Sequence, residues 1–234
     1  METKKMKPNL NTTTLLIVDC LNIDRAIKVV ERCKALCDFA DIKLLTHFST
    51  DYPHKVEIKE VKTLIHYSVF MLKKIHEYVD TKHILIVQRD GWILNPQAWN
   101  KKWEQYDYIG ALFNQYDVMG VGGFSFRSKS IMQSVSEKYP QWDGTNEQAH
   151  NLQKNIRMYE DGEIAITHRH QLEAEGFKFA DLKTASHFGQ GGNPNPHYHH
   201  SSPFGFHGSW KTINQETGFV YPEIKHDGEI LTPI

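Results

Sequence analysis

In the stretch LIVQRDGWILNPQAW, residues 85–99, an apolar run ends on Gln88, Arg89, Asp90 and Gly91. A carboxylate at a strand's exit, followed by a glycine that lets other backbone come close, suits a hard divalent cation that also binds a diphosphate. Asp-Gly is equally the composition of a plain turn. Two later groups suit the same chemistry. Glu160 and Asp161 are adjacent acids fit for general-base work, and His207, in PFGFHGSW, is fit to join a metal-bound diphosphate site. The acids also suit the cap of a helix beginning near Glu163, and His207 also suits an ordinary loop.

The segment GGFSFRS, Gly122 to Ser128, adds two adjacent glycines, against which a bulky ligand can lie on bare backbone. Phe124 and Phe126 alternate there as in a strand with one face inward. Trp92, Trp99 and Trp103 suit the core, with stacking on a ligand ring as the alternative.

Positioning these groups requires a scaffold, and the first half of the chain spells one. TLLIVDC (14–20), IKLLTHF (42–48) and HILIVQ (83–88) are short β-rich apolar runs. Between them, Ile23, Ala26, Ile27, Val30, Cys33 and Cys37 recur at helical spacing, as do Val61, Leu64, Ile65, Ser68, Leu72, Ile75 and Val79. The pattern is β-α-β-α-β, an α/β fold with a mainly parallel sheet flanked by helices. Such sheets bind ligands beyond the carboxyl ends of their strands, which selects Asp19, Thr46, Asp51 and residues 88–90. No glycine-rich dinucleotide or P-loop signature follows the first strand. After Trp92 the texture turns to short strands, glycine pairs and aromatics, and EDGEIAITHRHQLEAEGFKFA predicts a helix followed by a strand.

Composition narrows the class. The 234 residues are 40% hydrophobic and 24% charged with a net charge of -1, which gives no global pull toward nucleic acid and fits one sizeable core. No apolar run approaches the roughly 20 residues that span a bilayer, so a cytoplasmic protein is expected. Three cysteines are too few for a disulfide framework; Cys33 and Cys37 fit the core face of a helix better than a metal site. The 14 histidines raise a zinc hydrolase built on His197, His199 and His200, although that Gly/Asn/Pro-rich stretch lacks the rigid elements such a site needs. The stretch from Gly189 to Ser202 suits a loop closing over a ligand.

Taken in order, HILIVQRDGWILNPQAW, YDYIGA, VGGFSFRS, EDGEIA, LEAEGFKFA and PFGFHG resemble a glycosyltransferase family long catalogued as a domain of unknown function. The resemblance implies a single domain, 1–234, of the glycosyltransferase A type. Its nucleotide-binding half would span about 14–95 and its acceptor and catalytic half about 96–215. By that resemblance Gln88-Arg89-Asp90 stands where Asp-x-Asp binds a divalent cation and a sugar nucleotide. Asp90 and His207 are then the metal ligands, for Mn2+ or Mg2+, and Gln88, a poorer ligand, faces the ribose or the sugar. Gly122, Gly123 and Phe124 line donor and acceptor, although Val121 replaces the family's usual Asn. Asp161, with Glu160 as the alternative, is the base of an inverting transfer from a UDP- or GDP-linked donor to a glycan or other hydroxyl acceptor. Asp19 and Thr46 are positional candidates for nucleotide contact. A non-catalytic carbohydrate- or nucleotide-binding module of the same fold is the alternative.

Overall fold

The computed structural model describes residues 6–113, 118–142, 159–191, 198, 200, 202–208, 225–226 and 229–230. Strand β1 (Asn9–Val18) ends in six consecutive buried residues, and Asp19 stops it by turning its carboxylate onto the N–H groups of Leu21 and Asn22. Asn22 then caps α1 (Ile23–Leu36) by accepting from Arg25 N–H, which satisfies an otherwise orphaned helix donor. Ala26, Val29, Val30 and Cys33 are the buried stripe of that helix. Strands β2 (Asp38–Thr46) and β3 (Lys55–Glu57) follow.

Helix α2 (Leu64–Lys73), capped by Thr63, is shorter than the apolar spacing predicts. It breaks at Lys74, and a 3-10 turn over Ile75–Tyr78 continues the buried stripe. Strand β4 (His83–Val87) is buried at all five positions. It is followed by β5 (Gly91–Ile93), β6 (Tyr108–Phe113), β7 (Val118–Ser128) and α3 (Lys129–Lys138). A helical turn at Glu160–Gly162 runs into a π-helical turn at Glu163–Thr167, then α4 (Arg169–Ala174) and α5 (Leu182–Phe188). Strands β8 (Gly189–Gln190) and β9 (Gly205–His207) finish the main sheet.

The strand expected in LEAEGFKFA is reduced to a single bridge between Phe179 and Tyr108. Gly176, at φ +97°, closes α4 in a left-handed turn, and the cap of α5 at Asp181 follows too soon for a ladder to grow.

Among the described residues the sheet runs β3-β2-β1-β4-β7-β6-β8-β9-β5. It is parallel from β3 to β4 and from β6 to β9, and antiparallel where β7 meets β4 and β6 and where β5 meets β9. The chain moves outward from β1 to β2 and β3, then returns past β1 to β4. Crossovers between parallel strands are nearly always right-handed, so this reversal at β1 makes the β1/β4 boundary the switch point where such sheets open a crevice. Cys33 and Cys37 are free and buried; burial pushes the Cys33 thiol up to about 12, which leaves it an inert core group.

Candidate active site

The turn after β4 is built by its neighbours. Val87 pairs with Phe124, so the emerging chain lies beside Gly123 and Gly122. Gly91 N–H closes the turn onto the Gln88 carbonyl at 3.0 Å, and Gly91 then pairs with His207 across β5 and β9. A Cβ on Gly91 would lie 2.7 Å from the Phe206 carbonyl, so this approach requires glycine. Gly208 N–H donates to the Asp90 carbonyl at 3.0 Å, which fixes the turn against the end of β9.

His207 is thereby brought onto the turn. Its Nε2 lies 3.3 Å from Asp90 Oδ1 and 3.0 Å from Gln88 Oε1. Both partners are acceptors, so Nε2 carries the hydrogen in this arrangement. Burial raises the Asp90 carboxyl, but the His207 hydrogen bond and charge, with Arg89, outweigh it and hold the group below its ordinary value. A Cβ on Gly123 would overlap the His207 ring at Nε2 and lie 2.8 Å from Gln88 Oε1, so the missing side chain is what lets these groups meet.

The neighbouring glycine faces the acids. Gly122 N–H donates to Asp161 Oδ2 at 2.7 Å, while Asp161 Oδ1 accepts from Gly162 N–H at 2.8 Å. Successive Cα atoms lie about 3.8 Å apart, so Asp161 and His207 contact two adjacent points of one strand. The structure gives different partners to Asp161, the expected base, and to Glu160, its alternative. Glu160 is 2% exposed and forms a two-pronged ion pair with wholly buried Arg127, at 2.6 and 3.0 Å. Burial and the charge of Asp161 push the Glu160 carboxyl up, while Arg127 draws it back. Breaking such a pair would strand a charge in the core at a cost of about 3–5 kcal/mol.

Phe124 also departs from its expected place. It is fully buried, 5.0 Å from the Phe188 ring and against the backbone of Gly205, so it fills the core and lines no ligand surface. The tryptophans join the same packing. Trp92 sits edge-on to Phe206, and Trp99 meets Trp103, Phe126 and Phe204.

Asp19 follows the end of β1 at the switch point and Thr46 ends β2, one strand away, both with side chains already engaged. Asp19, besides its turn, accepts from Arg89 Nη1 at 3.2 Å, and Arg25 Nε donates to the Arg89 carbonyl at 2.7 Å. The end of β1, through Asp19, and the start of α1, through Arg25, thus each grip the Gln88–Gly91 turn once. Thr46 Oγ1 accepts from Phe48 N–H at 3.3 Å.

Among the described residues no group of three or more His, Cys, Asp or Glu side chains is gathered to hold a metal. Asp90 and His207 alone supply one carboxylate and one imidazole, and His207 Nε2 would have to give up its hydrogen to act as a ligand. His197 and His199 of the zinc alternative fall outside the described residues, as does most of 189–202. His200 packs its ring 4.1 Å from that of His187.

Residues 46–207 match the family described as a protein of unknown function, DUF5672. The chain belongs to this family. The match begins at Thr46 and ends at His207, so it takes in every candidate site residue except Asp19. No curated protein matches this DUF5672 chain. Solved structures resemble it distantly. The apo glycosyltransferase GlyE of Streptococcus pneumoniae is 9% identical with a TM-score of 0.44, over 76% of this chain and 46% of that one. The chain therefore spans under half of the GlyE chain. A protein of Aquifex aeolicus is 10% identical with a TM-score of 0.34, over 56% of this chain and 77% of that one. A Bacillus anthracis protein provisionally assigned as a glucose-1-phosphate thymidylyltransferase, in complex with sucrose, is 8% identical with a TM-score of 0.37, over 72% and 86%. Likenesses this faint carry no argument about the site.

Two residues of this DUF5672 site escape sequence reasoning. Arg127 reads as the polar end of a strand, and nothing local announces its buried partner. Tyr67, on α2, has a hydroxyl sealed from water and without a hydrogen bond of good geometry, although the Gln88 amide is its neighbour. Burial, then the charge of Glu160, pushes this phenol well up. The only hint in the sequence is its place beside Ser68 on the buried stripe.

No helix among the described residues is long and apolar enough to cross a membrane.

Proposed function

We propose that this protein is a glycosyltransferase that moves a sugar from a nucleoside-diphosphate donor, UDP- or GDP-linked, to a hydroxyl acceptor. The observation that carries the reading is the meeting of Asp90 Oδ1 and His207 Nε2 at 3.3 Å beyond the end of β4. Bare Gly122–Gly123 backbone lies beside them. Asp90 and His207 would hold Mn2+ or Mg2+, and the bound cation would offset charge developing on the departing diphosphate. The backbone of Gly122 and Gly123 leaves room for the donor to lie close. Asp19 and Thr46 shape the loops over which the nucleoside would rest. Asp161, oriented by Gly122 and Gly162, takes the acceptor's proton; each of its oxygens keeps a second lone pair for that work. A base opposite the leaving group gives inversion, and a product of retained configuration would remove this mechanism.

Calorimetry with UDP and GDP, with and without Mn2+, tests the reading. Affinity that rises with Mn2+ in the wild type and fails to rise in Asp90→Asn supports it. Equal affinity with and without the cation overturns the metal assignment. The grip of two backbone N–H groups on Asp161 favours a second reading, a non-catalytic nucleotide- or carbohydrate-binding module. Such a module would release no free nucleotide from any sugar donor.

A further inference from the structure

We infer that the hydroxyl acceptor carries an apolar group, alkyl or aryl, that rests on the first turn of α2 beside the site. This rests on the transfer reading above and names the acceptor class which that reading leaves open.

Helix α2, LIHYSVFMLK, is aliphatic or aromatic at every position except His66, Ser68 and Lys73. A helix that is apolar all round is expected to be covered all round. Ser68, Met71 and Leu72 are fully covered. Leu64 and Ile65 stand on the same rows, four or seven positions before those residues, yet they are 61% and 38% exposed. Val69, one turn after Ile65, is 36% exposed. Single exposed apolar side chains need no explanation, but these are three of the five large ones left exposed among the described residues, gathered on one helix. The apolar stripe therefore outruns the core at the start of the helix.

That start lies at the site. Strand β3 ends at Glu57 and α2 leads back toward the beginning of β4, so the helix begins at the carboxyl edge of the sheet. Ser68 Oγ accepts from Glu160 N–H at 3.3 Å, and Tyr67 neighbours the Gln88 amide. From Leu64 through Ser68 and Glu160 to Asp161 the path is at most about 16 Å, within the span of a hexose bearing a short alkyl chain. Leu21, 64% exposed just past the end of β1, adds an apolar side chain at the same edge.

Other occupants fit less well. A stable dimer takes roughly 800 Å2 from each partner, more than these few side chains offer. An anionic membrane surface calls for Lys or Arg in excess beside the apolar face. Residues 57–62, which lead into α2, set Glu57 and Glu60 against Lys59 and Lys62, and Lys62 is paired with Glu60 at 3.4 Å. An amphipathic acceptor needs neither a large area nor a charge excess. Its hydroxyl goes to Asp161, and its apolar end covers Leu64 and Ile65.

The experiment measures binding of alkyl glucosides, from methyl to octyl and below micelle formation, by calorimetry with saturating UDP or GDP. It compares wild type, the double variant Leu64→Gln/Ile65→Gln, and Met6→Gln, a control at an exposed apolar residue ahead of β1 on the opposite edge. Melting temperatures confirm that each variant folds. Each methylene removed from water is worth up to about fourfold, so affinity should rise by about tenfold or more from methyl to octyl in wild type and Met6→Gln. In the double variant the rise should shrink to within about threefold. Equal affinity along the series in wild type, or a rise that survives in the double variant, overturns the inference. Sedimentation of wild type with phosphatidylserine vesicles, or self-association, that is lost in the double variant gives the patch another occupant and overturns it too. Nucleotide release from sugar donors, measured alongside, keeps the two readings apart. No release from any donor removes the transferase, while the chain-length series, read by binding alone, still decides the apolar site.

Discussion

Asp161 is gripped at both carboxylate oxygens by backbone N–H groups, at 2.7 and 2.8 Å. An amide in its place would turn an NH2 toward one of those donors. Asp161→Asn is therefore expected to lose stability by about 1 kcal/mol, the worth of one good hydrogen bond. As the base it should also lose turnover by on the order of a hundredfold. Urea denaturation and nucleotide release from the cognate donor measure the two effects. A turnover within a few-fold of wild type would mean that Asp161 only braces the Gly122–Gly123 backbone. Glu160, one residue away, is paired with Arg127 in the core.

At the scale of elements, strand β7 binds the site to the core by placing glycines where β4, β9 and the Glu160 turn close in. Gly123 and Gly205 make a contrasting pair. A Cβ on Gly123 would strike the His207 ring, whose side chain is 23% exposed and has room to swing outward. Gly123→Ala should lose Mn2+-dependent nucleotide binding while stability changes by under about 1 kcal/mol. A Cβ on Gly205 would strike the ring of Phe124, which Phe188 and Phe204 hold in the core. Gly205→Ala should cost about 1–3 kcal/mol as overpacking. Denaturation and calorimetry on both variants check the contrast, and Gly123→Ala binding like wild type would dissociate His207 from the cation.

For the molecule as a whole, one contribution to acid response comes from His83 at the start of the buried strand β4. Its ring stacks on Phe126 at 4.6 Å and its Nδ1 has no partner. Burial, and after it Lys82, pushes the imidazole from 6.5 down to about 4, with Asp107 opposing. The folded value lies below the unfolded one, so the unfolded chain takes up a proton first. The stability tied to neutral His83 is complete above about pH 6.5 and is lost as pH falls toward 4, amounting to roughly 2–3 kcal/mol. Denaturation at pH 7 and 4.5 should show wild type losing that much more than His83→Leu. Equal losses would place the acid sensitivity elsewhere.

The β1-α1-β2 unit, the buried run of β4 and the strand-end position of Asp90 are legible in the sequence, because burial on two faces leaves continuous apolar runs and helices leave a 3.6-residue stripe. Those are local consequences of which side chains meet water. Asp90 and His207 can be nominated from their residue types and the character of the segments that carry them. Their meeting comes from the family resemblance alone and not from local pattern, since it depends on the pairing of β5 with β9, two three-residue strands with no local signature of each other. The antiparallel placement of β7 is equally silent, because a period of two announces a strand without naming its neighbour. For the same reason the sequence offers Asp161 as a base and Glu160 as its alternative without naming a partner for either. Only the fold brings Arg127 onto Glu160 and Gly122 onto Asp161, making one carboxylate a buried counter-ion and leaving the other at the site. A charge's role is set by the partner and the solvent around it, and both are fixed by contacts distant in the chain.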